Sequence, residues 1–208
     1  MASLPETFVL RTSLTSPFGR KVRMAVDVLG LGDRVTVSPA DPLDETDTLR
    51  QQNPLGKMPC LVRGDGGTIY DSGIIIEFLQ DAAGADRLLA KGGDARFNAL
   101  TRSRLADGII DASILVVYDG RFRPGEPPAE RWLAHQRGKI TRGLAAFETA
   151  PPDPQKTDIV AIGLSCALGY LDWRKQVDWR AAAPGLVGWL DRFSAHEPAY
   201  ERTRAPNS

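Results

Sequence analysis

Residues 8–37 read FVLRTSLTSPFGRKVRMAVDVLGLGDRVTV and predict a strand, a helix and a second strand in that order. The first four residues form a largely apolar strand, while Val35 and Val37 alternate with polar neighbours as in a half-buried strand. Between the strands, Ser16 and Pro17 predict a helix start, because serine caps helices and proline fits the first helical position. Two strands joined through a helix form a parallel pair.

The next part of the chain predicts a hairpin followed by another helix. Residues 58–62 and 68–70 are strand candidates, and the turn Gly64-Asp65-Gly66-Gly67 suits a tight hairpin, because glycine accepts positive φ. A helix is expected from Ser72 onwards, and the polar stretch 41–50 is expected to be a loop with a short helix. The predicted order is therefore β-α-β-α-β-β-α.

After about Gly84 the apolar residues recur with a period near 3.6, which is typical of helices. We therefore expect an α/β domain over residues 1–82, a linker over residues 83–93 and an all-helical bundle over residues 94–208. The four helical segments predicted in the bundle are Ala95–Val117, Ala129–Phe147, Asp158–Trp173 and Gly185–Phe193.

Composition excludes several classes of function. The 26 basic residues balance 26 acidic residues, so no net field attracts nucleic acid or an anionic membrane. No apolar run approaches the roughly 20 residues of a membrane span, and Met1–Glu6 shows no secretory signal. Cys60 and Cys166 are far apart and, like the two histidines, show no metal-ligand spacing. We expect a cytoplasmic protein without disulfides or bound metal.

Ser16 is the first candidate for chemistry. It places a hydroxyl at a helix N-terminus, where free N–H groups and the helix dipole favour a negatively charged ligand atom such as a thiolate. The alternative is that Ser16 serves only as a helix cap. Ser13 and Thr15 offer neighbouring hydroxyls.

Two further segments suggest contacts with a peptide-like ligand. Pro59 precedes a predicted strand, and a cis Met58–Pro59 bond would turn the Met58 N–H and C=O outward, where they can pair with such a ligand. Ser72 at a helix N-cap exposes donors for a carboxylate, and Asp71 can accept from an ammonium group. The alternatives are an ordinary loop proline and a simple helix cap.

The order and spacing of these segments resemble the glutathione transferase superfamily over nearly the whole chain. Thr15-Ser16-Pro17-Phe18 with Lys21-Val22-Arg23 resembles its active-site segment, Gly56-Lys57-Met58-Pro59 its cis-proline segment and Asp71-Ser72 its acidic-serine pair. Residues 158–172 resemble the central helix of the family. The resemblance implies a thioredoxin-like N-terminal domain, glutathione as co-substrate and a homodimer formed through the start of the helical domain.

The resemblance also implies roles for individual residues. Ser16 assists the glutathione thiolate, Met58 pairs with the cysteinyl backbone and Lys57 lies near the glycyl end. The complete set of implied glutathione-binding residues is Phe18, Lys57, Met58, Pro59, Asp71 and Ser72. Family members usually carry serine or threonine three residues before the aspartate of the central helix; this chain has Gln155, so Thr157 is a candidate for a displaced cap.

The function implied by the resemblance is conjugation of glutathione to a small, largely apolar electrophile. Tyr118 and Arg121, at the end of the first long helix, are candidates for the second-substrate pocket, or else form an ordinary polar helix end. Thiol-disulfide reduction is less favoured because it requires a cysteine in place of Ser16. An isomerase of the zeta type is also less favoured, since its serine is followed by Ser-Cys. A non-catalytic protein that binds glutathione remains a further alternative.

Overall fold

The computed structural model of the protein describes residues 6–206. The stretch Met1–Glu6, expected to lack a secretory signal, therefore lies almost entirely outside the described residues. Within them, residues 6–91 together with residues 201–206 form one compact unit, and residues 92–200 form a second. The first is an α/β unit and the second is helical, which confirms the predicted fold class.

The first unit is a four-stranded sheet with three helices. Its strand order is β2-β1-β3-β4; β1 pairs with β2 in parallel, and β3 pairs with both β1 and β4 in antiparallel fashion. The predicted hairpin turn is present, with Gly66 at a φ of 85°. The elements are β1 Phe8–Arg11, α1 Pro17–Val28, β2 Val35–Ser38, α2 Leu49–Gln52, β3 Cys60–Arg63, β4 Thr68–Ile69 and α3 Ser72–Ala82.

The first strand has a buried face and a more open one. Phe8 and Leu10 are 2% and 0% exposed, and the Phe8 ring lies edge-on to Phe78 of α3 at 5.4 Å between centroids. Arg11, on the other face of the strand, donates to Asp47 and Thr48 at the entrance to α2. This alternation follows from the period of two along a strand.

Residues 201–206 complete the surface of α1. Arg202 binds the carboxylate of Asp27 through two hydrogen bonds of 2.7 and 2.8 Å. Arg23 donates to the Thr203 carbonyl at 2.9 Å, and the buried Arg20 reaches the Thr203 hydroxyl at 3.5 Å. The first unit is thus built from two stretches of chain separated by more than a hundred residues.

The second unit is built around α6. All residues from Ile159 to Leu168 are buried, and the long helix α4 packs against both α5 and α6. No helix among residues 6–206 is long and apolar enough to cross a membrane. The helices are α4 Gly93–Phe122, α5 Glu130–Thr149, α6 Ile159–Arg174, α7 Trp179–Ala182, α8 Pro184–His196 and α9 Ala199–Arg202, of which α9 continues into the first unit.

The expectation of a displaced cap at Thr157 is wrong. Asp158 caps α6 by accepting hydrogen bonds from the N–H groups of Val160 and Ala161, at 2.9 and 3.0 Å. The Thr157 hydroxyl instead donates to Glu197 at 2.8 Å in a buried pair. Asp158 has an extended backbone, so its carboxylate reaches the second and third amides of the helix without help from Thr157.

Two glycines in the helical unit offer a test of its packing. A Cβ at Gly143 of α5 would lie 2.6 Å from Cγ1 of Ile109, which is 1% exposed, whereas a Cβ at Gly108 of α4 would meet nothing within 4 Å. We expect Gly143→Ala to lower the free energy of unfolding by about 1–3 kcal/mol through overpacking. Gly108→Ala should raise it by about 0.5–1 kcal/mol through helix propensity. Urea unfolding measures both, and stabilisation by both changes would contradict the packing described.

Candidate active site

The first turn of α1 is capped by Ser16, as the sequence predicts. The Ser16 Oγ accepts the N–H of Gly19 at 3.0 Å, the Ser16 carbonyl accepts the N–H of Arg20 at 2.9 Å, and Pro17 occupies the start of the helix. Ser16 is 9% exposed. The cap therefore fixes the position of the hydroxyl at the positive end of the helix dipole.

Two donors at this helix end remain unused among the described residues. Pro17 has no N–H, and the amides of Gly19 and Arg20 are bonded to Ser16. The Ser16 hydroxyl accepts a hydrogen bond but donates none within residues 6–206, and the N–H of Phe18 has no partner there. One hydroxyl and one amide can therefore bind an anionic atom.

A glycine allows α1 to approach β1 closely. A Cβ at Gly19 would lie 1.9 Å from the Oγ1 of Thr12, which is 1% exposed and lies just after β1. Any larger residue at position 19 would displace the first helical turn from the end of the strand. The hydroxyl of Ser16 is therefore held at the carboxyl end of β1.

The competing hydroxyls bond to each other. Ser13 Oγ and Thr15 Oγ1 lie 3.1 Å apart, and Thr15 is exposed. The backbone N–H of Ser13 also contacts the sulfur of Met58 at 3.1 Å. The structure thus brings the first two predicted segments, around Ser16 and around Met58, next to each other.

The Met58–Pro59 peptide bond is cis, as predicted. The N–H and C=O of Met58 make no hydrogen bond within the described part of the chain. The loop before them is held by Asn53, whose side-chain amide donates to the Lys57 carbonyl at 2.8 Å and accepts from the Leu55 N–H at 3.1 Å. This loop presents the Met58 peptide groups as an unpaired donor and acceptor.

The third segment is shifted by one residue from the expectation. Asp71, and not Ser72, is the N-cap of α3; its carboxylate accepts the Gly73 N–H at 2.9 Å. Aspartate and serine are equally good caps, and the extended backbone at Asp71 decides between them. Asp71 is exposed, whereas Ser72 is 1% exposed and its own N–H has no partner among residues 6–206.

Lys21 links the first and third segments and received no role in the sequence analysis. It is 0% exposed, and its Nζ lies 3.4 Å from the Ser72 Oγ and 5.8 Å from the centroid of the Phe18 ring. The sequence contains an indication of this burial, because the apolar residues Met24 and Ala25 follow Lys21 at the i+3 and i+4 spacing and so share its face of the helix. Both are buried. A charged residue on the buried face of a helix indicates a specific partner.

In the helical unit, the predicted pocket residues Tyr118 and Arg121 lie together. The Arg121 guanidinium carbon is 5.4 Å from the centroid of the Tyr118 ring. Tyr170, near the end of α6, interacts electrostatically with both. Burial raises the pKa of the Tyr170 hydroxyl, the charge of Arg174 and a hydrogen bond with it lower that pKa, and Tyr118 raises and Arg121 lowers it to a smaller extent. Tyr170 and Arg174 were not predicted as pocket residues from the sequence, although their i and i+4 spacing places both on one side of α6.

The two cysteines are not placed for thiol chemistry. Within residues 6–206, Cys60 and Cys166 form no disulfide and are 0% exposed, and burial raises the pKa of the Cys60 thiol. Reactive cysteines have the opposite character, with a lowered pKa and partial exposure. Within residues 6–206, no group of three or more His, Cys, Asp or Glu side chains could hold a metal ion.

This burial predicts how the thiols react. In the native protein, we expect Cys60 and Cys166 to react with a thiol-specific disulfide reagent at least about a hundredfold more slowly than in denaturant, because both are shielded from solvent. The time course of reagent absorbance gives the rates, and the denatured protein must show two thiols. Rapid labelling of one thiol in the native protein would contradict the burial described here.

Comparison with known proteins agrees with this arrangement. Residues 15–82 match the N-terminal domain family of glutathione S-transferases. The uncharacterized GST-like protein YibF of Escherichia coli strain K12 is 33% identical over 201 residues, which cover 94% of this chain and 98% of that protein. The probable glutathione S-transferase BZ2 of Zea mays is 35% identical, with 90% of this chain and 86% of that protein covered.

A solved structure extends the similarity to three dimensions. A glutathione transferase family member from Pseudomonas fluorescens Pf-5, crystallised with bound glutathione, superposes with a TM-score of 0.89 at 37% identity, covering 96% of this chain and 100% of that one. The α/β unit with a cis proline, followed by a helical unit, defines a thioredoxin-like protein with an appended helical domain. The chain belongs to the glutathione S-transferase family.

Proposed function

We propose that the protein is a glutathione transferase that joins the glutathione thiolate to a small, largely apolar electrophile. The observation that carries this proposal is the pair of unused donors at the start of α1, the Ser16 hydroxyl and the Phe18 N–H. Binding of glutathione by the similar protein from Pseudomonas fluorescens supports the same ligand here.

The chemistry requires the thiol to be ionised. A free thiol with a pKa of about 8.5 is only about 3% thiolate at pH 7, and lowering that pKa by one unit raises the fraction to about 24%. The Ser16 hydroxyl and the positive end of α1 stabilise the charged sulfur, which lowers its pKa. The thiolate then attacks an electrophilic carbon, and the protein contributes orientation and charge stabilisation without a covalent enzyme intermediate.

The remaining parts of glutathione match the other predicted residues. The unpaired N–H and C=O of Met58 suit the cysteinyl backbone, and the exposed Lys57, which precedes cis Pro59, suits the glycyl carboxylate. The exposed Asp71 carboxylate suits the γ-glutamyl ammonium, and the free N–H of Ser72 suits the neighbouring carboxylate. In this proposal residues 1–82 bind glutathione, and residues 94–208 provide Tyr118 and Arg121 for the second substrate.

The test of the catalytic assignment is the ultraviolet absorbance of bound thiolate across pH. We expect the wild-type protein to lower the pKa of bound glutathione by at least about one unit, and Ser16→Ala to lose most of that shift, because the hydroxyl donor is gone. Ser13→Ala and Thr15→Ala should retain it, since those hydroxyls bond to each other.

A matched variant separates the thiolate role of Ser16 from its capping role. Ser16→Asp keeps the helix cap, whereas Ser16→Ala loses about 1 kcal/mol of cap stability. We expect Ser16→Asp to unfold like the wild type in urea yet to lose the pKa shift, since a carboxylate repels a thiolate. Bound glutathione with an unshifted pKa in the wild type would instead favour a protein that binds glutathione without catalysis.

The proposal includes a cytoplasmic homodimer formed through the start of the helical unit. Phe97, near the start of α4, is 66% exposed, and Leu105 on the same helix is 36% exposed. Two exposed apolar side chains on one helix, with Phe97 exposed to two thirds, suit a surface that another subunit covers. In the described part of the chain both cysteines are buried and neither forms a disulfide, which suits a reducing compartment.

A single charge at this surface tests the dimer. We expect the wild-type protein to have the mass of two subunits in size-exclusion chromatography with light scattering, and Phe97→Glu to shift it to one subunit, because a buried unpaired charge is costly. Trp132→Glu, at a residue of α5 that is 46% exposed, is the control and should leave the dimer intact. A monomeric wild type would refute this part of the proposal.

A further inference from the structure

The ends of α4 and α6 gather cationic and aromatic side chains within the helical unit. Arg174 lies with its guanidinium carbon 3.8 Å from the centroid of the Trp173 ring and 5.6 Å from that of Tyr170. The Tyr118 ring, which Arg121 approaches, lies 5.0 Å from the ring of Phe122. The arginine–aromatic cluster is defined as Tyr118, Arg121, Phe122, Tyr170, Trp173 and Arg174.

The turn that follows α6 is fastened to α4 beside the cluster. Lys175 ends α6 in the left-handed conformation, with a φ of 52°. In the amide orientation that satisfies both of its polar atoms, Gln176 donates to the Ser113 carbonyl at 3.0 Å and accepts from the Val117 N–H at 3.1 Å. Because Val117 directly precedes Tyr118, this bond holds the end of α6 against the part of α4 that carries the cluster.

Among the described residues, neither arginine of the cluster has a carboxylate partner. The nearby Asp119 binds Arg123 at 2.8 Å, and Asp172 binds Arg180 at 2.8 Å. No ion pair within residues 6–206 includes Arg121 or Arg174. The Nε of Arg174 is shielded from solvent and has no hydrogen-bond partner in the described part of the chain. Two unneutralised guanidinium groups produce a positive potential that attracts an anion.

We infer that the arginine–aromatic cluster binds a small aromatic carboxylate. A guanidinium group binds a carboxylate through two parallel hydrogen bonds, and aromatic side chains stack on an aromatic ligand ring. Phe122 is 55% exposed, so its ring is open to such a ligand. As a statement about the second substrate, this inference rests on the proposed transferase function; as a statement about anion binding, it stands on the cluster alone.

A pair of ligands that differ only in charge provides the test. 3-Nitrobenzoate carries a carboxylate, and 3-nitrobenzamide has the same ring and nearly the same shape without the charge. In calorimetric titrations of the full-length protein without glutathione, we expect 3-nitrobenzoate to bind at least about tenfold more tightly than the amide, and added salt to reduce the difference.

The arginines should account for this preference. In Arg121→Met/Arg174→Met, we expect the two ligands to bind within about twofold of each other, because the charge that distinguishes them is gone. Replacing both arginines by lysine keeps the charge but loses the planar guanidinium group that makes two parallel hydrogen bonds, so the preference should be intermediate. Arg192→Met, at an exposed residue of α8, removes a charge elsewhere in the unit and should retain the full preference.

Several outcomes overturn the inference. Equal binding of the two ligands by the wild type would do so, as would a preference that survives in the double methionine variant or disappears in Arg192→Met. Glutathione is itself a carboxylate, so its affinity is measured in the same variants. If the double variant loses about tenfold in glutathione affinity while its preference for nitrobenzoate persists, the arginines bind glutathione and the inference is wrong.

The test also separates this inference from the proposed function. With 4-chloro-3-nitrobenzoate and its amide as electrophiles, glutathione displaces chloride and forms a C–S bond, while the thiol proton passes to solvent. A lowered thiolate pKa without a carboxylate preference in binding would refute the inference alone. If the carboxylate preference depends on the arginines but the protein does not lower the thiol pKa of bound glutathione, the transferase function is refuted and the anion site stands.

Discussion

The absence of a side chain at Gly19 is the constraint on which the candidate site depends. Because Thr12 occupies the space that a Cβ would need, α1 can begin close to the end of β1. The same approach positions the Ser16 cap, and one turn later it directs the buried Lys21 to Ser72 at the start of α3. Two helix N-termini are therefore joined through one lysine, so a ligand that contacts both meets a single rigid frame.

Local signals were enough to predict the strands and helices of the first unit and the four long helices of the second, but not the short helices α7 and α9. The Ser16-Pro17 start of α1 and the glycine turn between β3 and β4 depend on residues next to each other in sequence, and both are present. The choice between Asp71 and Ser72 as the cap of α3 was not predictable, because either side chain can cap and only the backbone conformation decides.

Contacts between distant residues could not be predicted in this way. Ser72, which lies next to Lys21, is 51 residues away in sequence, and Tyr118 at the end of α4 interacts with Tyr170 on α6. A periodic pattern indicates that a residue faces inward but not which helix it meets. The packing of residues 201–206 against α1 could not be predicted either, because it depends on hydrogen bonds between distant residues, such as that between Arg202 and Asp27.

The packing of residues 201–206 against α1 has a consequence for biosynthesis. Residues 201–206 leave the ribosome only after the entire helical unit has been translated, about 110 residues behind the rest of the first unit. At translation speeds of about 5–20 residues per second, the nascent α/β unit waits roughly 5–20 seconds without the hydrogen bonds that Arg202 and the Thr203 carbonyl make with α1. During that interval it is an incomplete nascent domain, which chaperones can engage before residues 201–206 bind to α1.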